Sequence, residues 1–162
     1  MWRKIEIKFL KSNYVAHCGA VNKKRMKKEL HLTNDVSQVV ALGEWVERLG
    51  EELSLNPADV FQLNLALEEA VVNVINYAYP GQTDMPIVLC ATADEDGKGI
   101  VFSLKDNGVP FDPTKADTPD ITLSAEEREI GGLGIFLVEQ MMSRVAYERQ
   151  GESNVLTMEW RK

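Results

Sequence analysis

Cysteine is scarce in this sequence, and its two cysteines do not form a recognisable pair. Cys18 and Cys90 are the only ones among 162 residues, and neither belongs to a Cys-x-x-Cys motif. This excludes a disulfide framework or a cluster of metal-binding thiolates. No apolar stretch approaches the roughly 20 residues of a membrane-spanning helix, and the basic N-terminus lacks the long apolar region of a signal peptide. We therefore expect a cytoplasmic protein with reduced thiols and no membrane partner.

Positive charge is also sparse outside the N-terminal segment. The formal net charge is −7, yet residues 1–25 contain seven basic side chains and one acid, a local charge of +6. The remaining 137 residues therefore carry −13. An acidic body argues against direct nucleic-acid binding, which depends on neutralising phosphates. It suits a basic protein partner, and we expect any bound nucleotide to need a divalent cation.

The N-terminal segment differs from the rest of the chain in composition. We predict one short strand near Ile5–Leu10 and interpret residues 1–25 as a basic extension that need not be native. Met26 begins the run MKKELHL, a natural-looking start whose alternation indicates a first strand. Residues 26–162 then form a single domain, and the hydrophobic content of 44% is enough for a sizeable core.

The rest of the sequence switches between two periodicities. Apolar residues at helical spacing predict three helices, and alternating residues between turn signals predict five strands. The predicted helices are 34–53, 57–79 and 131–142, and the predicted strands are 28–32, 85–94, 97–106, 143–149 and 154–160. Asn34 or Asp35 can cap the first helix, and Asn56 with Pro57 can start the second. We predict an α+β fold, a two-layer α/β sandwich with helices on one face of a mixed, largely antiparallel sheet.

The second predicted helix carries a line of polar residues on an apolar surface. Glu69, Asn73 and Asn76 are spaced i, i+4 and i+7 and share one face. One interpretation is a solvated stripe on a half-exposed helix. In the other, the carboxylate is a general base and an amide oxygen one turn later binds a hard cation such as Mg²⁺. Glu68, about 100° further round the helix, is interpreted as an ordinary surface acid.

A second motif, Asp106-Asn107-Gly108, follows a predicted strand. Such a sequence is most often a turn. An aspartate in this place can also accept a hydrogen bond from an exocyclic amine such as that of adenine, and Gly108 would let a flat base approach. Both interpretations stay open from the motif alone.

A third motif places glycines in front of the last predicted helix, in the run GGLGIFLVEQMM at 131–142. It is not a P-loop, because no Lys-Ser or Lys-Thr follows, and it is not a Rossmann fingerprint, because residue 137 is leucine. The glycines form either a tight loop before a core helix or a phosphate cradle, where free N–H groups and the helix dipole favour an anion. The preceding polar stretch, 109–130, could fold over a ligand as a lid.

In this order, the three motifs resemble those of the Bergerat-fold ATPase superfamily, which includes DNA gyrase, histidine kinases and MutL. Within it, the sequence is most similar to the bacterial anti-sigma-factor serine/threonine kinases of partner-switching systems. The resemblance runs from about Met26 to the C-terminus. It is carried by LALEEAVVNVINYAYP, LKDNGVPFDP and GGLGIFLVEQMMSRVAYER.

The resemblance implies roles for individual residues. Glu69 would be the catalytic base and Asn73 the Mg²⁺ ligand, while Asp106 would read adenine. The residues implied to contact ATP are Asn73, Asp106, Gly108, Gly132, Leu133 and Gly134, and residues 112–130 would be the ATP lid. From its place within that lid, and not from the resemblance, Arg128 is either a phosphate contact or a solvated arginine. The chain departs from the superfamily pattern at Pro110, where a further glycine is frequent, and at Tyr77, where such kinases often have histidine.

The resemblance also implies a function. The protein would be an anti-sigma factor and serine/threonine kinase that binds Mg-ATP and phosphorylates an anti-anti-sigma antagonist. Its partners would be that antagonist, a sigma factor and a second copy of itself, since the family is often dimeric. One alternative is a non-catalytic ATP-binding regulatory module that sequesters a protein partner, and another is an interaction domain with a vestigial site.

Overall fold

The computed structural model describes residues 25–94, 98–115 and 132–162. Within these ranges the chain forms five strands and three α-helices. Their bounds are β1 Arg25–Thr33, α1 Val39–Glu52, α2 Pro57–Tyr77, β2 Pro86–Asp94, β3 Gly99–Asp106, α3 Gly132–Met141, β4 Arg144–Gln150 and β5 Ser153–Arg161. Short 3-10 turns at Val36–Gln38 and Pro113–Lys115 precede α1 and follow β3.

The five strands form one sheet in the order β1-β2-β3-β5-β4. Each of the four described pairings is antiparallel. The sequence predicted a largely antiparallel sheet with some parallel pairing, and no parallel pair occurs among the described strands. Alternate residues of β2, β3 and β5 are buried, because successive side chains of a strand point to opposite faces. The helices cover the buried face, which confirms the predicted two-layer α+β sandwich.

Asp35, and not Asn34, caps the 3-10 turn Val36–Gln38 that leads into α1, whereas the side chain of Gln38 at the start of α1 makes no capping hydrogen bond. The Asp35 carboxylate accepts a hydrogen bond from the backbone N–H of Ser37 at 2.8 Å. Asn34 instead joins two loops, since its side chain accepts from the N–H of Met85 and donates to the carbonyl of Gln82, both at 2.8 Å. The two predicted cap candidates therefore have different roles.

Helix α2 starts as the sequence predicts and ends slightly earlier. Asn56 accepts a hydrogen bond from the backbone N–H of Asp59 at 2.9 Å, and Pro57 occupies the first turn. The helix ends at Tyr77, whereas the prediction extended it to Tyr79. Tyr79 leaves the helical path and is buried.

Helix α2 lies between α1 and α3. Its buried residues are Leu63, Ala66, Leu67, Ala70 and Val71. Truncating such a buried leucine to alanine costs about 2–5 kcal/mol, so this face holds the helix firmly on the sheet. Glu69 and Asn73 lie on the flank of the same helix that faces α3.

Two sequence predictions concern the N-terminal part of the chain. The strand near Ile5–Leu10 lies outside the described residues. Strand β1 begins at Arg25, which pairs in register with Asp94, one residue before the predicted boundary at Met26. Among the described residues, no helix is both long enough and apolar enough to cross a membrane.

Candidate functional site

The site begins where α3 lies against α2 in the opposite direction. Near the C-terminal end of α3, the side chain of Gln62 donates a hydrogen bond to the carbonyl of Met141 at 2.9 Å. Near its N-terminal end, Gly134 lies against Glu69 and Asn73. A Cβ atom at Gly134 would collide with Oε2 of Glu69 and would lie 3.6 Å from Nδ2 of Asn73. The helix motif and the glycine motif therefore meet.

The polar residues of α2 differ in their surroundings. Asn73 is half-buried, and its Nδ2 atom is buried with no hydrogen-bond partner among the described residues. Such a donor costs about 1–3 kcal/mol when it stays unpaired, so Asn73 is a candidate for pairing with a ligand. Asn76 is exposed. Glu68 and Glu69 are both half-buried, and it is Glu69 that lies against Gly134.

Asp106, at the end of β3, is buried with 6% of its surface exposed. Its Oδ1 atom accepts hydrogen bonds from the backbone N–H of Gly108 at 2.8 Å and from Nδ2 of Asn154 at 2.7 Å. The bond to Gly108 is the one expected of an aspartate that begins a turn. This bond confirms the turn interpretation of the motif, and the site interpretation stays a prediction.

A mostly apolar cavity lies between α2, the end of β3 and the β4–β5 hairpin. The cavity proper has a volume of about 50 Å³, and the space reaches about 460 Å³ only when open solvent at its mouth is included. Its lining consists of Ala70, Asn73, Val74, Tyr77, Ala78, Leu104, Asp106, Phe111, Pro113, Ile135, Tyr147, Asn154 and Leu156. An apolar cleft with a few convergent polar groups is the usual form of a small-molecule site. Asn73 and Asp106 thus border one space.

Gly108 is required for a reason that the sequence did not suggest. A Cβ atom there would collide with the carbonyl oxygen of Ala78 and lie 2.6 Å from its Cβ. The next residue, Val109, donates its N–H to the same carbonyl at 2.8 Å. The glycine therefore lets the chain pass close to the end of α2, and the approach of a base is not needed to explain it.

The Tyr79 side chain links the end of α2 to strand β2 and to the turn that follows β3. Its hydroxyl donates to the carbonyl of Pro86 at 2.9 Å and accepts from the N–H of Asn107 at 2.7 Å. Burial raises the pKa of the Tyr79 hydroxyl, and the negative charge of Asp106 acts in the same direction. The neutral hydroxyl is thus kept as a fixed donor beside Asp106.

This arrangement can now be compared with known proteins. The profile of the histidine kinase-like ATPase domain matches residues 32–160. The chain belongs to this family. The resemblance to Bergerat-fold ATPases inferred from the three motifs is confirmed, and the matched range includes all three.

Two curated proteins similar to this chain are named as protein kinases. The chain is 28% identical over 115 residues to the serine/threonine-protein kinase BtrW of Bordetella bronchiseptica, covering 70% of this chain and 79% of that protein. It is 35% identical over 100 residues to the serine-protein kinase RsbW of Listeria monocytogenes, covering 59% of this chain and 62% of that protein. The chain therefore spans less than two thirds of the Listeria relative.

Solved structures show the same fold at low sequence identity. The RsbU and RsbW domains of a Mycobacterium tuberculosis protein match with a TM-score of 0.57 and 16% identity, covering 83% of this chain and 32% of that one. The histidine kinase domain of a blue-light-activated kinase from Erythrobacter litoralis matches with a TM-score of 0.50 and 13% identity, covering 74% of this chain and 60% of that one. These likenesses support the α+β architecture of this histidine kinase-like ATPase domain.

Sequence reasoning missed two residues that line the cavity, Asn154 and Tyr147, and a third, Arg149, that hydrogen-bonds to Asn154. Asn154 pairs in register with Asp106 and hydrogen-bonds to it, and Tyr147 and Arg149 hydrogen-bond to Asn154. A signal for Asn154 was present in the sequence, because it is the polar member of an alternating series whose other members are buried apolar residues. Its partner could not be named without the strand order.

The predicted lid is described only at its beginning. Asp112 accepts hydrogen bonds from the N–H and hydroxyl of Thr114 and forms an ion pair with Lys115 at 3.0 Å. Burial acts to raise the pKa of Asp112, but the hydrogen bonds and the Lys115 charge together hold that pKa below its usual value. Arg128 lies outside the described residues. Gly132 and Leu133 begin α3, which places their backbone at the helix N-terminus.

Proposed function

We propose that this chain is an anti-sigma factor and a serine/threonine protein kinase, which binds Mg-ATP and phosphorylates an anti-anti-sigma antagonist. The observation that carries the proposal is the placement of Glu69, Asn73 and Gly134 together beside the cavity that contains Asp106. Membership in an ATPase domain family and relatives named as serine kinases support the same reaction.

The nucleotide would lie with its base in the apolar cavity and its phosphates toward α3. A flat aromatic base suits the apolar lining, and its amino group would donate to the Asp106 carboxylate. The N-terminus of α3, at Gly132–Gly134, would offer the phosphates the positive end of a helix dipole and the first N–H groups of the helix, which have no acceptor within the helix itself. Ile135, buried one residue later, anchors this end of the helix.

Asn73 fits the expected position of a magnesium ligand. Its amide borders the cavity and its buried Nδ2 has no partner among the described residues, so the side chain is available to a ligand. Rotation of the amide presents either its oxygen to a cation or its N–H₂ group to a phosphate oxygen. Mg²⁺ is usually bound by one or two protein oxygens together with waters and substrate phosphates, so one amide oxygen is enough.

Glu69 would act as the general base. Its carboxylate lies next to Gly134, the residue proposed to border the phosphates, so an acceptor hydroxyl placed there would be within reach. Glu69 would take the hydroxyl proton as the serine or threonine oxygen bonds to the γ-phosphorus, while the bond between that phosphorus and the β–γ bridging oxygen breaks and ADP leaves. Bound Mg²⁺ would supply neutralisation of the phosphate charge. The half-buried position of Glu69 on a firmly packed helix would keep the base aligned.

The partners are proposed from charge and from the relatives. An acidic body suits a sigma factor with a basic surface. The antagonist would be the phosphate acceptor, and its unphosphorylated form would compete with the sigma factor for the kinase. A homodimer is part of this proposal.

Two measurements test the proposed function. The first is calorimetric titration with ATP, with and without Mg²⁺. We expect micromolar binding that weakens strongly when magnesium is chelated. No heat and no thermal stabilisation at millimolar nucleotide would contradict the proposal and favour a vestigial site.

The second measurement is phosphoryl transfer from labelled ATP to proteins in an extract of the native organism, with the sites located by mass spectrometry. We expect a serine or threonine of a small protein to be labelled, and Glu69→Gln to reduce labelling about 100- to 10,000-fold, the usual contribution of a general base. Glu68→Gln is the matched control and should label normally. Binding of ATP by the wild type without any transfer would favour the non-catalytic regulatory module.

A further inference from the structure

Arg149 lies on strand β4 and hydrogen-bonds to residues beside the cavity that is proposed to hold the nucleotide base. Its Nη1 atom donates to Oδ1 of Asn154 at 2.8 Å and to the carbonyl of Gly108 at 3.0 Å. The hydroxyl of Tyr147 donates to the same Asn154 oxygen at 2.7 Å. The oxygen end of the Asn154 amide therefore receives two donors from strand β4.

The nitrogen end of the same amide faces acceptors. Nδ2 of Asn154 donates to Oδ1 of Asp106 at 2.7 Å and to the carbonyl of Val109 at 3.0 Å. Asn154 has 6% of its surface exposed, so few waters can replace these bonds. All hydrogen-bonding capacity of the amide is used within the protein.

These bonds give the Asn154 amide one favourable orientation. Arginine has donors and no acceptor, so Arg149 can pair only with the oxygen end. A rotated amide would place its oxygen against the Asp106 carboxylate and the Val109 carbonyl, and buried acceptors without donors are costly. With the observed orientation, Oδ1 of Asp106 is occupied by Asn154 and by the N–H of Gly108. Asp106 also lines the cavity, and no hydrogen bond from another described residue reaches its second carboxylate oxygen, which is left for a donor there.

We propose that Arg149 is a positioning residue for base recognition. By fixing the Asn154 amide, it holds the Asp106 carboxylate so that an acceptor faces the cavity. Such an acceptor selects a purine with an amino group at position 6 over one with an oxo group or hydrogen there. This inference rests on the proposed function, because it assumes that the cavity holds the nucleotide base.

The test is the base selectivity of Arg149→Met, which keeps an apolar stem and removes the donors. Dissociation constants are measured by calorimetry for ATP, for purine riboside triphosphate, which lacks the 6-amino group, and for ITP, which has a 6-oxo group. We expect Arg149→Met to weaken ATP binding about tenfold and purine riboside triphosphate binding less than twofold. The preference for ATP over ITP should fall by a similar factor of about ten.

Three further variants complete the design. Arg144→Met is the matched control, because Arg144 lies on the same strand and pairs with Glu159 at 3.3 Å; it should leave all three affinities unchanged. Arg149→Lys keeps one cationic donor and should restore part of the selectivity. Asp106→Asn defines the lower limit, where ATP and purine riboside triphosphate bind alike.

The outcomes separate this inference from the proposed function. If the wild type binds no nucleotide, the proposed function fails. If the wild type prefers ATP and Arg149→Met weakens all three ligands equally or none of them, Arg149 is only structural and this inference is wrong. A wild type that binds all three equally also overturns it. Should Arg149→Met not fold, Tyr147→Phe, which removes one donor to Asn154, decides: a reduced preference for ATP supports the inference, and an unchanged preference contradicts it.

Discussion

Gly134 and Glu69 face each other across the contact between α3 and α2, and the Glu69 carboxylate occupies the space that a side chain at 134 would need. The glycine is therefore part of the environment of the proposed base. Position 134 needs a residue without a side chain because the Glu69 carboxylate lies there, whether or not a phosphate also approaches.

Gly134→Ala should impair catalysis more than stability. The added Cβ would push the flexible end of Glu69 aside, while alanine is a better helix former than glycine by about 1 kcal/mol. We expect phosphoryl transfer to fall at least tenfold while the melting temperature changes by no more than about 4 °C. Gly43→Ala is the control, because the nearest described atom to its Cβ would be Oδ1 of Asn64, at an ordinary 3.8 Å. Equal activity of both variants would contradict the proposed placement of Glu69.

Gly108→Ala should mainly affect stability. Its Cβ would collide with the backbone of Ala78, which cannot move as a side chain can. Overpacking of this kind costs about 1–3 kcal/mol, and thermal or urea denaturation would measure it. Gly99→Ala, whose Cβ would lie 3.9 Å from the Asp94 carboxylate, is the control and should remain near wild type. A Gly108→Ala protein of unchanged stability would show that the chain can move away from α2 there.

Asn73→Ala should abolish the Mg²⁺ dependence of ATP binding without lowering the stability of the nucleotide-free protein. Since Nδ2 of Asn73 is buried and unpaired among the described residues, its removal relieves a cost of about 1–3 kcal/mol and should leave the nucleotide-free protein at least as stable. The Mg²⁺-dependent part of ATP binding should be lost in calorimetry. Asn64→Ala is the matched control, because Oδ1 of Asn64 is also buried and unpaired but faces Gly43. An undiminished effect of Mg²⁺ in Asn73→Ala would remove Asn73 from the ligand set.

Ionisation of Asp112, at the start of the predicted lid, should make the free energy of unfolding of the protein depend on pH. Its folded-state pKa lies below the ordinary value of 3.8, so ionised Asp112 stabilises the folded state above that pH. This contribution is lost as pH falls through the lowered folded-state pKa. Asp112→Asn should therefore melt below the wild type at pH 7, and the difference should shrink below about pH 3.8. A constant difference from pH 7 to pH 2.5 would contradict this assignment.

Local features of the fold could be predicted from the sequence because they depend on neighbouring residues. Asn56 and Pro57 start α2, and the alternation along β2, β3 and β5 gives their buried faces. The spacing of Glu69 and Asn73 gives a shared helical face through the helical period alone. The α+β class follows from the order of these elements. The motifs also gave the family, because a family resemblance is a property of the sequence.

The partners of these residues were decided by tertiary structure. Gly134 meets Glu69 because α3 lies antiparallel to α2, and Asn154 meets Asp106 because β5 is inserted between β3 and β4. The packing of Gly108 against Ala78 depends likewise on where α2 ends. Helical and strand periods fix the direction of a side chain relative to its own backbone, whereas helix packing and strand order determine which distant residue it reaches. The sequence by itself therefore determined the elements and their polar residues, and the tertiary structure decided which of those residues form one site.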